Sequence, residues 1–152
     1  MEKKQSVNMI CMQPRRLAAV NIARRVAAEL KEDVGQSVGY HVSMEKRKTP
    51  GLTKITFMTT GIFLMRLVNN PDSLKDYTHL IMDEVHERDL DIDFSLVVLK
   101  HLLAKPSRER FNFKLILMSA TFNTELFADY FAKSSIREVE AVNAYRSEEQ
   151  AL

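Results

Sequence analysis

Short apolar runs alternate along this chain with segments in which apolar residues recur every three or four positions, the rhythm of strands followed by helices. Val7 to Gln13 is the first run and reads as a strand. Pro14 then supplies a preset φ suited to a first helical turn, and Leu17, Val20, Ala23, Val26, Ala27 and Leu30 form a stripe that predicts a helix to about Glu32. Asp33 to Pro50 has no clear period, and Val38 to Val42 is its one candidate strand. Lys54 to Thr59, with Ile55, Phe57 and β-branched threonines, predicts a further strand. Gly61 to Val68 follows as a helix, started by a cap at Thr59 or Thr60 and ended near Asn69, Asn70 and Pro71.

Leu80 to Met82 has no polar face, as expected of a strand covered on both sides. Leu90, Phe94, Val97, Val98, His101 and Leu102 mark a second amphipathic helix, halted by Pro106. Phe113 to Met118 is the last strand. A cap at Asn123 or Thr124 then opens a short helix to Phe131, with Leu126, Phe127, Tyr130 and Phe131 expected in the core. The pattern describes an α/β unit over residues 1–133, a parallel sheet flanked by helices. From Ser134 apolar spacing fades and acidic residues rise, so residues 134–152 are expected to form a loose tail.

Composition narrows this without deciding it. With 152 residues, 45% hydrophobic and 28% charged, the chain has room for about one soluble domain. A net charge of +2 is too small to argue for nucleic acid by itself. Basic residues gather at Arg15, Arg16, Arg24, Arg25 and Lys46 to Lys48, and for Arg24, Arg25 and the lysine-rich group a solvated face is the expected explanation. Cys11 is the single cysteine, which rules out an internal disulfide or a cysteine-based zinc site and suits a reducing compartment. The start lacks the apolar core of a secretory signal, and no uncharged run approaches the ~18 residues of a membrane span. A cytoplasmic or nuclear location is the expectation. His41 has no second His or Cys at metal-binding spacing and is read as a packing or surface residue.

Candidate chemistry concentrates where the Leu80 to Met82 strand stops. Asp83 and Glu84 would sit at the carboxyl end of that strand, the rim where open α/β sheets bind ligands. One carboxylate can hold Mg²⁺ through water while its neighbour orients or deprotonates an attacking water. The plainer alternative is that both merely favour the next helix start. Their company argues for chemistry. Asp83-Glu84-Val85-His86, followed by Glu87-Arg88, resembles motif II of the DEAH/DExH-box RNA helicases, superfamily 2 NTPases. Gln13-Pro14-Arg15-Arg16 is similar to motif Ia, Thr59-Thr60-Gly61 to motif Ib, and Ser119-Ala120-Thr121 to motif III. Val38-Gly39-Tyr40 with Glu45 resembles the segment between Ia and Ib. The likeness runs from Val7 to Phe131, and its motifs do not choose among members, a Tudor-containing germline helicase being one candidate.

The resemblance implies a RecA-like first lobe that uses ATP and Mg²⁺ and binds single-stranded RNA through its backbone. Asp83 would serve Mg²⁺ through water with Glu84 beside it, Glu84 would position or activate water, and His86 would couple the γ-phosphate site to a partner lobe. Ser119 and Thr121 would link hydrolysis to strand separation, their hydroxyls reaching Asp83 and His86 across neighbouring strands. Arg15 and Arg16, at a strand-to-helix junction, and Thr59, Thr60 and Gly61, at a helix start, would grip phosphates.

Departures from the family pattern carry equal weight. Met12 replaces a usual Thr, and Ser43 and Met44 stand where an Arg and an aromatic are usual. None of the four glycines, Gly35, Gly39, Gly51 and Gly61, belongs to a Gly-x-x-x-x-Gly-Lys-Ser/Thr phosphate cradle. The chain is therefore expected to be an incomplete first lobe, without the P-loop strand and helix and without the second lobe, and inactive alone. The Phe113 to Met118 strand should then carry an unpaired apolar edge. Two other functions compete: a non-catalytic RNA-binding or scaffold fragment, and a hydrolase in which Asp83, Glu84 and His86 ligate a metal directly.

Overall fold

A computed structural model describes residues 7–104, 111–120 and 124–132. Thr121, Asn123, Pro106 and the expected tail lie outside the described residues, as does any test of where the domain ends. The elements in chain order are β1 (Met9–Gln13), α1 (Arg16–Glu29), β2 (Val38–Val42), β3 (Glu45–Arg47), β4 (Ile55–Thr59), α2 (Thr60–Asn69), β5 (His79–Met82), α3 (Leu90–Leu103), β6 (Lys114–Leu117) and α4 (Thr124–Ala132). Short 3₁₀ turns occupy Pro71–Asp76 and Val85–Glu87.

The strands form one six-stranded sheet in the order β3-β2-β4-β1-β5-β6. Pairing is parallel except between β2 and β3, so the sheet is mixed rather than wholly parallel. The exception has a local cause. Ser43 and Met44 turn the chain back in a tight hairpin, Met44 taking a left-handed φ of 63°, and Glu45–Arg47 pairs by backbone with no apolar pattern to announce it.

Alternation along the inner strands builds two cores. Ile10 and Met12 of β1, Met58 of β4 and Leu80 and Met82 of β5 face α2, α3 and the Phe131 end of α4. Cys11, Phe57, Val38, Tyr40 and Val42 face α1 through Ala19, Val20, Ala23 and Ala27. Small alanines let α1 lie close on β2, β4 and β1, while the same face of β5 and β6 is partly open, with Ile81 half-buried and Ile116 40% exposed. Among the described residues β6 is an end strand, as expected, bonded to β5 alone.

Several expected faces are rotated. Leu17 and Leu30, the ends of the α1 stripe, are exposed. On α3 the core face is Ile92, Ser95, Leu96, Leu99 and Leu102, whereas Leu90, Phe94, Val97 and His101 point outward. That helix is apolar almost all round, so periodicity offered two faces and the sheet took the other. Leu126 of α4 is exposed while Phe131 is buried. Thr59 stands at the N-cap of α2, yet no side-chain bond caps the helix, and the buried Thr60 hydroxyl has no hydrogen-bond partner.

Candidate functional site

The tips of β1, β5 and β6 converge on one rim of the sheet. β1 ends with Gln13, which shares the α1-side face with Cys11 and is only 3% exposed. A polar side chain so placed must find a partner, and Gln13 Nε2 donates to Asp83 Oδ2 at 2.8 Å. Burial pushes the neighbouring Cys11 thiol up to about 11, which leaves it protonated and unreactive near neutral pH. Beyond β5, Asp83 N–H donates to Met12 O at 3.1 Å, Val85 N–H to Met118 O at 3.1 Å, and Met118 N–H to Met82 O at 2.9 Å. The three strand ends are thus sewn together by backbone and one side chain.

The acidic turn itself is strained. Glu84 and Arg88 both adopt left-handed backbone, with φ of 55° and 50°, bracketing the Val85–Glu87 turn. For residues with a Cβ this conformation costs about 1–2 kcal/mol each. Bonds around the turn offset that cost. Asp83 Oδ1 accepts Glu84 N–H at 2.9 Å, and Glu87 N–H donates to Glu84 O at 2.9 Å. The Arg88 guanidinium grips Asp93 with both ends, at 2.7 and 3.0 Å, which raises its already high pKa further. Asp89 caps α3 by accepting Ile92 N–H at 2.8 Å.

His86 faces two neighbours through one nitrogen. Its Nδ1 lies 3.4 Å from Glu84 Oε2 and 3.3 Å from the Ala120 N–H, which donates to it. Accepting that bond requires the proton on Nε2, so in the neutral ring the Glu84 contact is not an ion pair. Ser119 and Asp83 lie at the same rim, as the sequence reading required. One link from the segment after β6 to His86 is the backbone amide of Ala120, and Thr121 lies outside the described residues.

The proposed phosphate contacts line the neighbouring junctions. Arg15 is 76% exposed, with Nη2 3.0 Å from Glu87 Oε1. Arg16 Nη2 lies 3.5 Å from Glu45 Oε2. Glu45 also accepts the Tyr40 hydroxyl, which with Arg16 and Arg47 holds its carboxyl below the usual range. At the start of α2, Thr59 is half-buried and Thr60 fully so; Thr60 therefore presents backbone rather than its hydroxyl. A Cβ at Gly61 would stand 2.7 Å from Asp91 Oδ2, the end of an exposed side chain that can turn aside, so Gly61 lies close to that carboxylate.

No group of three or more His, Cys, Asp or Glu placed to hold a metal is found among the described residues. The donor set fits another arrangement. Each Asp83 oxygen accepts one inward bond and keeps a further lone pair, as suits a carboxylate reaching Mg²⁺ through water beside nucleotide phosphates. Burial and Lys46 lower the pKa of His41.

Residues 1–128 match the family model described as DEAD/DEAH box helicase. The chain belongs to that family. It is 43% identical over 127 residues to the DExH-box ATP-dependent RNA helicase DExH1 of Arabidopsis thaliana, covering 84% of this chain and 12% of the relative. To DExH3 of the same plant, likewise named a DExH-box ATP-dependent RNA helicase, it is 49% identical over 124 residues, 82% of this chain and 10% of that one. To DHX57 of Homo sapiens it is 46% identical over 124 residues, 82% and 8%. The chain therefore spans only a small part of the length of the curated relatives it matches.

Within this DEAD/DEAH box helicase unit, the motifs single out Asp83, Glu84, His86, Arg15 and Arg16, and the structure places them around the ends of β1 and β5. Motif reasoning missed Gln13 as the partner of Asp83 and Glu87 as the partner of Arg15. For Gln13 a signal existed, a polar side chain at an inward position of an apolar strand. For Glu87 there was none beyond its place in motif II.

Proposed function

We propose that this chain supplies the acidic, water-activating side of the nucleotide cleft and part of the RNA path of an ATP-dependent RNA helicase. The observation that carries the proposal is the Gln13–Asp83 bond at 2.8 Å, because it joins the strand end that leads to Arg15 and Arg16 with the carboxylates that follow β5. Asp83 would hold Mg²⁺ through water, and the ion would neutralise charge on the nucleotide phosphates. Glu84 is the group to orient an attacking water or take its proton, since its carboxylate is solvent-reachable and is not engaged by Gln13. His86, bonded to Ala120, relates that site to the segment after β6. Arg15, Arg16 and the start of α2 bind the backbone of single-stranded RNA. The phosphate cradle and a second lobe come from outside these 152 residues.

In the whole protein Glu84→Gln keeps nucleotide binding and loses hydrolysis; unchanged turnover would remove Glu84 from its role. The isolated 152-residue chain releases no phosphate from ATP, with or without RNA, because two carboxylates without a cradle repel bare phosphates. RNA-stimulated release in a malachite-green assay would overturn that.

A second reading, a non-catalytic RNA-binding fragment, is favoured by one fact: the sequence holds basic junction residues but no Gly-Lys-Ser/Thr cradle. Salt titration of RNA binding by the chain and by Arg15→Ala/Arg16→Ala tests it, and binding indifferent to both would dismiss it.

A further inference from the structure

Arg15 and Glu87 are separated by most of the sheet's chain path, yet they meet at 3.0 Å at the site rim. Arg15 belongs to the β1–α1 junction proposed to grip RNA, whereas Glu87 ends the turn that carries Glu84 and His86. The contact uses one guanidinium nitrogen and one carboxylate oxygen. A phosphodiester oxygen pair offers the same guanidinium a planar two-bond fit, and an exposed ion pair of this sort holds its partner by no more than about fivefold in an equilibrium constant.

Carboxylates stand against the other proposed RNA contacts too. Glu45 faces Arg16, and Asp91 lies against Gly61 at the start of α2. Glu45 is also tied to Tyr40. Glu87 differs in being bound by backbone to Glu84, through its own N–H and the Glu84 carbonyl at 2.9 Å.

Resting on the RNA-binding role proposed above, we infer that Glu87 occupies the place of an RNA phosphate on Arg15. A backbone phosphate displaces it, and its release alters the turn that carries Glu84 and His86. Glu87 is a positioning residue in this scheme, touching neither nucleotide nor RNA. It makes RNA occupancy known to the carboxylate that handles water, and it weakens RNA binding slightly because the phosphate must compete.

The test uses the whole 152-residue chain and a fluorescent oligouridine followed by anisotropy. Glu87→Gln tightens binding about threefold, whereas Glu29→Gln, which removes an equal charge at the far end of α1, leaves it unchanged. In an Arg15→Gln background the Glu87→Gln gain disappears. Proton NMR then reads the turn: the His86 ring signal moves when oligouridine is added to the parent and stays put in Glu87→Gln. Glu87→Ala, which leaves no amide to replace the carboxylate, gives the same signs. Unchanged or weaker binding in Glu87→Gln, a gain that persists without Arg15, or equal His86 shifts in both proteins would each overturn the inference alone. No RNA binding by the parent, or binding unaffected by Arg15→Gln, would overturn the RNA role of Arg15 and the inference with it.

Discussion

The Gln13–Asp83 bond can be weighed directly. Gln13 is almost wholly buried and its amide donates to one oxygen of a half-buried carboxylate at 2.8 Å. Hydrogen bonds to charged groups contribute about 1.5–3 kcal/mol, and a buried group left without its partner loses its full hydration. Asp83 is open enough to regain water when Gln13 is cut back, whereas Gln13 has no such recourse when Asp83 is removed. The coupling should therefore fall near the lower end, about 1.5 kcal/mol. Gln13→Ala, Asp83→Ala and the double variant form a cycle read by urea unfolding of the chain. The double variant should be less destabilised than the sum of the singles by that amount. In a chain of this length each kcal/mol lowers Tm by about 2–4 °C, so the deficit is also visible in a melt. Singles that add to within about 0.5 kcal/mol would refute the bond as the anchor of Asp83, because independent sites add to that tolerance.

Gly39→Ala should destabilise by about 1–3 kcal/mol, because its Cβ would stand 2.5 Å from the Arg47 carbonyl oxygen across the β2–β3 pair; a melt matching the parent counts against that close approach. Met44→Gly should stabilise by up to about 1 kcal/mol, since the side chain is fully exposed and its φ of 63° disfavours a Cβ; a lower urea midpoint would contradict this. Cys11 should resist a disulfide reagent at pH 8 until the chain is unfolded by denaturant, its thiol being buried and pushed up to about 11; labelling within seconds in native buffer would show β1 open. Glu45 has a folded pKa below its ordinary 4.5, so the stability it lends is present above that value and lost as pH falls through the folded one. Tyr40→Phe should flatten that acid limb, and an unchanged profile in acid titration would deny the hydroxyl its part.

Much of this architecture could be read in advance from strands with no polar face and helices with one. The inner strands β1, β4 and β5 and the helices after them lie where their patterns put them. Local rules failed where several solutions satisfy the same pattern. α3 carries apolar residues at both Leu90, Phe94 and Val97 and at Ile92, Leu96 and Leu99, and packing against α2 and the sheet chose the second set. β3 is polar throughout, held by backbone pairing to β2, and gives no periodic signal. The place of the candidate site was legible because ionisable residues follow apolar runs directly. Partner choice was not, because Gln13 meets Asp83 only through the β1–β5 register, in which Met12 pairs with Met82.

That register also explains why the strained turn is tolerable. Left-handed backbone at Glu84 and Arg88 stores roughly 2–4 kcal/mol, taking the usual cost for two such residues. Within the turn itself the described compensation includes the Glu87 N–H bond to Glu84 O. Other ties come from elsewhere: Met12 and Gln13 from β1, Met118 and Ala120 from beyond β6, and Asp93 from α3. Strands placed in parallel, side by side, bring those groups to one rim, and the sheet thereby pins a conformation that its own sequence disfavours. Geometry held in this way responds to its holders. A change at the end of β1, where Arg15 emerges, or at Ala120 acts on the Glu84 carboxylate through one or two bonds, which gives the junction proposed to bind RNA and the carboxylate proposed to act at the nucleotide a short physical route to each other.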